Sequence, residues 1–250
     1  MKKHIPNTIT CCNLISGCIA TYWAFQSNYQ LALLFIVIGA VFDFFDGMSA
    51  RLLGVSSPIG KELDSLADDI TFGFAPSAMV FSWINAQCTM HNSQLFAASS
   101  VGATDYALGI VNYALPYLAF IIAAFSALRL AKFNLDERQA LGFIGLPTPA
   151  NALFWGSLIV SLDWQTWFEP YQLPGYWLYI ILALIPVSSY LLVSEIPMFA
   201  LKFKHWGWKG NEVKYCFILS CVPILLLLNI SGLAVIIAWY VLLSVITNRK

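Results

Sequence analysis

Five aspartates fall within one short stretch, as Asp43, Asp46, Asp64, Asp68 and Asp69. On a helix, positions i and i+3 or i+4 share a face, so Asp43 and Asp46 point one way and Asp64 and Asp68 another. If the two helices are neighbours joined by a short loop, four carboxylates converge. Four anions in a partly dehydrated site repel strongly unless cations compensate them. All-oxygen donors suit Mg2+ or Mn2+, and no neighbouring His or Cys pair argues for zinc. An ion-pair network with Arg51 and Lys61 is the plain alternative, but two cations do not balance five acids. Asp69 departs from the i+4 register by one residue and reads as a peripheral acid. Gly47 and Ala50 follow Asp46, and Gly60 precedes Asp64, leaving bare backbone where a phosphorylated, nucleotide-like ligand can approach closely.

The elements that hold these acids must lie in a membrane. The 250 residues are 59% hydrophobic and only 10% charged, with a mean hydropathy of +0.73, far from the balance of a soluble domain. Thirteen basic and 13 acidic residues cancel, which leaves no electrostatic footprint for nucleic acid. Apolar windows near 9–26, 30–52, 66–87, 106–131, 146–162, 176–194, 213–229 and 231–247 predict an all-α, polytopic helical bundle of about eight transmembrane helices. The last two windows form a C-terminal hairpin (213–247) turned at Asn229–Gly232. One membrane domain, 1–250, is the expected organisation. The six cysteines lack metal-ligand spacing and read as packed thiols.

Eight spans place all 13 Lys and Arg residues on one side, and the opposite loops hold none. Positive residues mark the cytoplasmic side, so both termini and the acidic cluster face the cytoplasm. Trp164, Trp167, Phe168, Tyr171, Tyr176 and Trp177 crowd one outer loop as an interfacial aromatic belt. Arg129 and Lys132 bracket the acidic side, where they suit a lipid phosphate or an acceptor carboxylate, or simply snorkel at the boundary. Asn13 and Asn134 are further polar candidates facing the cavity. His4, His91 and His205 are scattered, and none is placed to act as a base.

Asp43, Asp46, Gly47, Ala50, Arg51, Gly60, Asp64 and Asp68 fit the pattern D-x-x-D-G-x-x-A-R-x8-G-x-x-x-D-x-x-x-D at all eight fixed positions. This resembles the signature of the CDP-alcohol phosphatidyltransferases. Pro6-Asn7 through Thr10 and Asn13, Arg129-Leu-Ala-Lys132-Phe-Asn134, and Gly145-Leu-Pro147-Thr-Pro149-Ala150 further resemble the integral-membrane phosphatidylserine synthases of bacteria and archaea. The likeness covers most of residues 5–205, a catalytic core of 1–205, and is weakest in the final hairpin.

The resemblance implies a two-ion Mg2+ or Mn2+ site on Asp43, Asp46, Asp64 and Asp68, with Asp68 as general base. It places Gly47, Ala50, Arg51 and Gly60 around the cytidine diphosphate. The implied reaction transfers a phosphatidyl group from CDP-diacylglycerol to the hydroxyl of L-serine, in a homodimer of the cytoplasmic membrane surrounded by membrane lipids. The motif describes donor and metals rather than nucleophile, so glycerol 3-phosphate or inositol phosphate is the rival acceptor. Either would call for more basic residues than Arg129, Lys132 and Arg138. A metal-ion transporter is the rival of a different class, although comparable acids do not continue across the membrane.

Overall fold

The computed structural model describes residues 4–55, 57–97, 103–135, 143–168, 176–199, 207 and 211–247. It is helical almost throughout. Helices α1 (His4–Phe25) and α2 (Tyr29–Leu53) are joined by a tight turn and pack along each other. The Asn28 side chain caps α2 by accepting from the Leu31 amide, and Gly54, at φ 61°, closes its C-terminus. Ser57 then caps α3 (Pro58–Asp68): its hydroxyl accepts from the Gly60 amide, and Pro58 occupies the first turn. A π-helical turn, Asp69–Phe74, follows Asp68 directly and leads into α4 (Ala75–Ala97).

The fourth apolar window of the sequence divides into α5 (Ala103–Ala114), a 3-10 turn (Leu115–Ala119) and α6 (Phe120–Leu135). Pro116, which lacks an amide proton, sits in that 3-10 turn. Beyond α6, β1 (Phe143–Ile144) pairs antiparallel with β2 (Pro197–Met198), which follows α8. That clasp ties the start of α7 (Thr148–Phe168) to the end of α8 (Tyr176–Val193). Gly145 is required there, because at φ +75° a Cβ would stand 2.7 Å from the Leu192 carbonyl. The hairpin α9 (Glu212–Leu228) and α10 (Ser231–Thr247) turns at Asn229, whose φ is 50°. Helix α10 packs on α7, and Tyr240 donates its hydroxyl to the Phe199 carbonyl at 3.0 Å.

The core gathers Ile36, Phe72, Met79, Ile84, Ile122, Trp155, Ile159 and Ile181 from α2, the π turn, α4, α6, α7 and α8. Large apolar side chains also face outward, among them Leu52, Tyr179, Leu226 and Leu227. For a chain this apolar, that outer surface is the one lipid covers. Among the described residues four stretches, His4–Phe25, Tyr29–Leu53, Gly109–Leu135 and Tyr176–Val193, are long and apolar enough to cross a membrane by length and composition. Of the aromatic belt, Tyr176 is exposed and Trp177 half-buried; the side chains of the other four members lie outside the described residues.

Two glycines let the first two helices close onto the π turn. A Cβ on Gly17 would lie 2.8 Å from the Thr71 Cα, and one on Gly39 would lie 2.5 Å from the Thr71 side chain. Thr71 is wholly buried between α1 and α2, and its hydroxyl donates to the Asn13 carbonyl at 3.1 Å. The small residues of α1 and α2 thus fix the depth at which the acidic end of the third helical segment sits.

Candidate active site

Helices α2 and α3 bring the acids together. Asp43, Asp64 and Asp68 each offer a carboxylate oxygen, and these oxygens lie within 4.8 Å of one another. Asp46 is buried beside them, close enough for its charge to act on all three. Its Oδ2 has no hydrogen-bond donor, nor has the buried Oδ1 of Asp64. Burial, then the Asp46 charge, pushes the Asp64 carboxyl up to about 6. Crowded, donor-poor carboxylates of this kind are what a divalent cation satisfies, and the donor set is purely oxygen, as Mg2+ and Mn2+ prefer.

The ion-pair alternative does not form. Arg51 Nε donates to the Gly47 carbonyl at 2.9 Å, and Lys61 Nζ to the Asn134 carbonyl at 2.9 Å. Among the described residues no Lys or Arg is hydrogen-bonded to the carboxylates of the cluster.

Asp46 and Asp64 also line a cleft of about 240 Å³ whose wall includes Pro6, Asn7, Thr10, Gly47, Ala50, Val55, Ser57, Gly60 and Lys61. Gly47, Ala50 and Gly60, expected around a nucleotide diphosphate, therefore face one space. Arg51 is exposed next to that wall and folds back on Gly47. The two glycines differ in why they are bare. A Cβ on Gly60 would press on Ser57 Oγ at 3.0 Å and Asn7 Oδ1 at 3.1 Å, so Gly60 serves the packing of α3 against α1. A Cβ on Gly47 would meet nothing nearer than the Arg51 guanidinium at 3.6 Å, so its bareness serves the cleft. Gly47→Ala is expected to hold or slightly raise the thermal midpoint, since alanine favours a helix over glycine by about 0.5–1 kcal/mol. The same change is expected to raise the KM for the nucleotide-bearing substrate about tenfold, as read from initial rates beside a melting curve.

Asn13 is fully buried and donates its Nδ2 to Asp68 Oδ1 at 3.0 Å. Although read from the sequence as a contact for substrate, its amide is engaged in holding Asp68. Asn134 donates to Ser65 Oγ at 2.7 Å and so pins α6 to α3. Arg129 is 6% exposed, stacks over Phe133 with 5.5 Å from Cζ to the ring centre, and lies within electrostatic reach of Asp68. Lys132 is exposed at the end of α6. Arg138 lies outside the described residues.

Sequence reasoning did not single out Thr71 or Ser57. Ser57 followed by Pro58 is a helix-start signal that does reveal an earlier beginning of α3, whereas the Thr71–Asn13–Asp68 chain links residues too distant in sequence to be seen.

The CDP-alcohol phosphatidyltransferase family model matches residues 3–185, and all of the acids and glycines of the site lie inside that match. The chain belongs to the CDP-alcohol phosphatidyltransferase family. It is similar to a CDP-diacylglycerol–serine O-phosphatidyltransferase of Bacillus subtilis, 34% identical over 84% of this chain and 95% of the relative. The Helicobacter pylori protein of that name is 28% identical over 96% of this chain and 89% of its own length. One from Methanocaldococcus jannaschii is 28% identical over 79% of this chain and 87% of its own. Family and site agree on the donor half of the chemistry, since carboxylates that suit divalent metal adjoin a bare-walled cleft fit for a diphosphate.

Proposed function

We propose that this chain transfers the phosphatidyl group of CDP-diacylglycerol to the hydroxyl of L-serine, giving phosphatidylserine and CMP. The observation that carries the reading is the convergence of Asp43, Asp64 and Asp68 within 4.8 Å, with Asp46 beside them at the wall of the cleft. The names of its relatives support serine as acceptor. So does the sparse supply of cations among the described residues: Arg129 is buried and its Nε–H finds no acceptor, Lys61 is engaged with Asn134, and Lys132 is exposed. One buried guanidinium suits a single carboxylate better than a phosphorylated alcohol.

Asp43, Asp46, Asp64 and Asp68 would hold two Mg2+ or Mn2+ ions. When bound, these supply Lewis-acid neutralisation of the diphosphate and of the departing CMP. Gly47, Ala50, Arg51 and Gly60 receive the cytidine diphosphate in the cleft. Asn13 fixes one oxygen of Asp68, orienting the carboxylate that takes the proton from the acceptor hydroxyl. The freed oxygen attacks the phosphorus that carries diacylglycerol, the bond from that phosphorus to CMP breaks, and CMP leaves with the electron pair. The acyl chains stay in the bilayer against the outward apolar faces. The whole chain acts as one membrane domain of eight spans, working as a homodimer, with both termini and the site on the cytoplasmic side of the plasma membrane, where the sequence concentrates Lys and Arg.

CMP release by purified protein in detergent, with Mg2+ or Mn2+ and each of L-serine, glycerol 3-phosphate and inositol phosphate, tests this. Metal-dependent release with serine alone is the expected result. Release only with a phosphorylated acceptor would keep the donor chemistry and overturn the acceptor, and no release with any of them would overturn the reading as a whole.

A further inference from the structure

The cleft beside the carboxylates is walled by two acids, Asp46 and Asp64, while the diphosphate expected there is itself an anion. Binding it calls for a cation on the same wall. Arg51 stands next to that wall, with its Nε committed to the Gly47 carbonyl at 2.9 Å. Among the described residues that line the cleft, Lys61 is the only Lys or Arg. It follows Gly60 at an unfixed position of the acidic motif, so the motif assigns it no part.

Lys61 is held in place by a ring of hydrogen bonds. Its Nζ donates to the Asn134 carbonyl at the end of α6, at 2.9 Å. The Asn134 side chain donates to Ser65 Oγ at 2.7 Å, and Ser65 Oγ donates to the Lys61 carbonyl, one turn back along α3, at 3.3 Å. The ring joins α3 to α6 and fixes both the backbone and the head of one lysine. An ammonium has three protons; one goes to Asn134, and the other two meet no protein acceptor among the described residues. Ordering a lysine costs side-chain entropy, so a ring that orders this one and leaves two of its protons free points to a use for the ammonium beyond the ring.

We propose that Lys61 binds the donor phosphate that departs with CMP, and that Asn134 and Ser65 are positioning residues for it. The inference rests on the proposed use of CDP-diacylglycerol and is independent of the acceptor. The place of Lys61 on α3 selects the phosphate. Asp68, which takes the acceptor's proton, lies seven residues further along the helix, about 10 Å on at the usual rise per residue. The acceptor arrives at that end, so the phosphorus under attack lies there, and the nucleotide extends towards Gly60 and Lys61. When the bond from that phosphorus to the CMP oxygen breaks, the electron pair stays on the CMP phosphate. The ammonium faces the added charge and keeps its own proton.

Displacement of a fluorescent CDP-diacylglycerol by CMP and by cytidine, in detergent with Mg2+, tests this for the parent, Lys61→Gln, Lys61→Arg, Asn134→Ala and Lys214→Gln. Cytidine has the same base and ribose without the phosphate. Lys214→Gln removes an equal charge from α9, where that ammonium donates to Asn211. Lys61→Gln is expected to weaken CMP about tenfold, the low end for a hydrogen bond to a charged group because Lys61 is exposed, and to leave cytidine unchanged. Lys61→Arg is expected to hold CMP within about threefold of the parent, since the charge is kept and only its shape differs. Asn134→Ala is expected to weaken CMP by less than Lys61→Gln, because the charge stays and its tether loosens. Lys214→Gln is expected to behave as the parent. In turnover, Lys61→Gln is expected to lower kcat/KM for CDP-diacylglycerol about 30-fold while the KM for L-serine holds.

Equal weakening of CMP and cytidine would make Lys61 a part of the cleft's shape rather than a phosphate contact. Unchanged CMP affinity would remove it from the nucleotide, and a raised KM for L-serine with normal CMP binding would move it to the acceptor. Each of these overturns the proposal. If the parent protein binds neither CMP nor cytidine, the reading of the cleft as a nucleotide site fails, and this inference with it.

Discussion

Asp68→Asn is expected to yield a folded membrane protein that still binds CDP-diacylglycerol with Mg2+ or Mn2+ yet releases CMP about a thousandfold more slowly, within the range for loss of a positioned general base. The amide keeps one oxygen for the cluster and has nearly the shape of the acid, but it does not accept a proton from the acceptor hydroxyl. The contact from Asn13 Nδ2 to Asp68 Oδ1, at 3.0 Å, is kept if the new amide presents its oxygen, so the backbone of α1 and α3 has no reason to move. Donor binding measured with a fluorescent CDP-diacylglycerol, beside CMP release at saturating serine, separates the two effects. Turnover close to that of the parent would remove Asp68 from the role of base, and joint loss of binding and turnover would make it chiefly a ligand.

Asp43→Asn is expected to fail differently. Asp43 lies on α2, facing Asp64 and Asp68 from across the cluster, and among the described residues it has no hydrogen-bond partner whose loss would disturb the fold. Replacing it removes one of the four charges that would hold the cations. The metal concentration for half-maximal rate is expected to rise by more than about 100-fold, beyond the 10–100-fold that loss of an outer partner of a metal ligand costs. Affinity for CDP-diacylglycerol is expected to fall alongside it, because in the proposed mechanism the diphosphate would be bound through the ions. Titration of Mn2+ into the variant at several donor concentrations checks this; a fall in kcat with unchanged metal dependence would place Asp43 outside the metal site. Together the two variants distinguish a proton acceptor from a ligand within one tight group of carboxylates.

How much of this was legible beforehand differs between elements. The apolar windows located the long helices well, 30–52 against Tyr29–Leu53 and 231–247 against Ser231–Thr247, because lipid imposes one requirement on every residue that faces it. The turn between α9 and α10 was legible from Asn229 and Gly232, and Asn229 does adopt a positive φ. Hydropathy misled at the third segment: the window began at 66, while helix begins at Pro58. The first turns of α3 are amphipathic and lie outside the apolar run, so only the Ser57 cap and Pro58 announce them. A break in the fourth window was likewise carried by Pro116 alone.

At the site, the i, i+3 and i+4 spacing was sufficient to bring Asp43, Asp64 and Asp68 to one point, because both helices are regular there. It was insufficient beyond Asp68. The π turn that starts at Asp69 has no composition of its own, and it is produced by the close approach of α1, α2 and α6 at Gly17, Gly39 and Gly73. Asp69 therefore read as peripheral, although the structure turns it towards Ser126. Asn13 was identified as polar and cavity-side, but its engagement with Asp68 across 55 positions is a product of tertiary packing.

Phosphatidyl transfer to serine requires one stoichiometry. With CDP-diacylglycerol, Mn2+ and radiolabelled L-serine, the purified protein is expected to transfer label into chloroform-soluble lipid one for one with CMP released, and chelation of the metal is expected to stop both together. CMP released without labelled lipid, or labelled lipid formed undiminished after chelation, would contradict it.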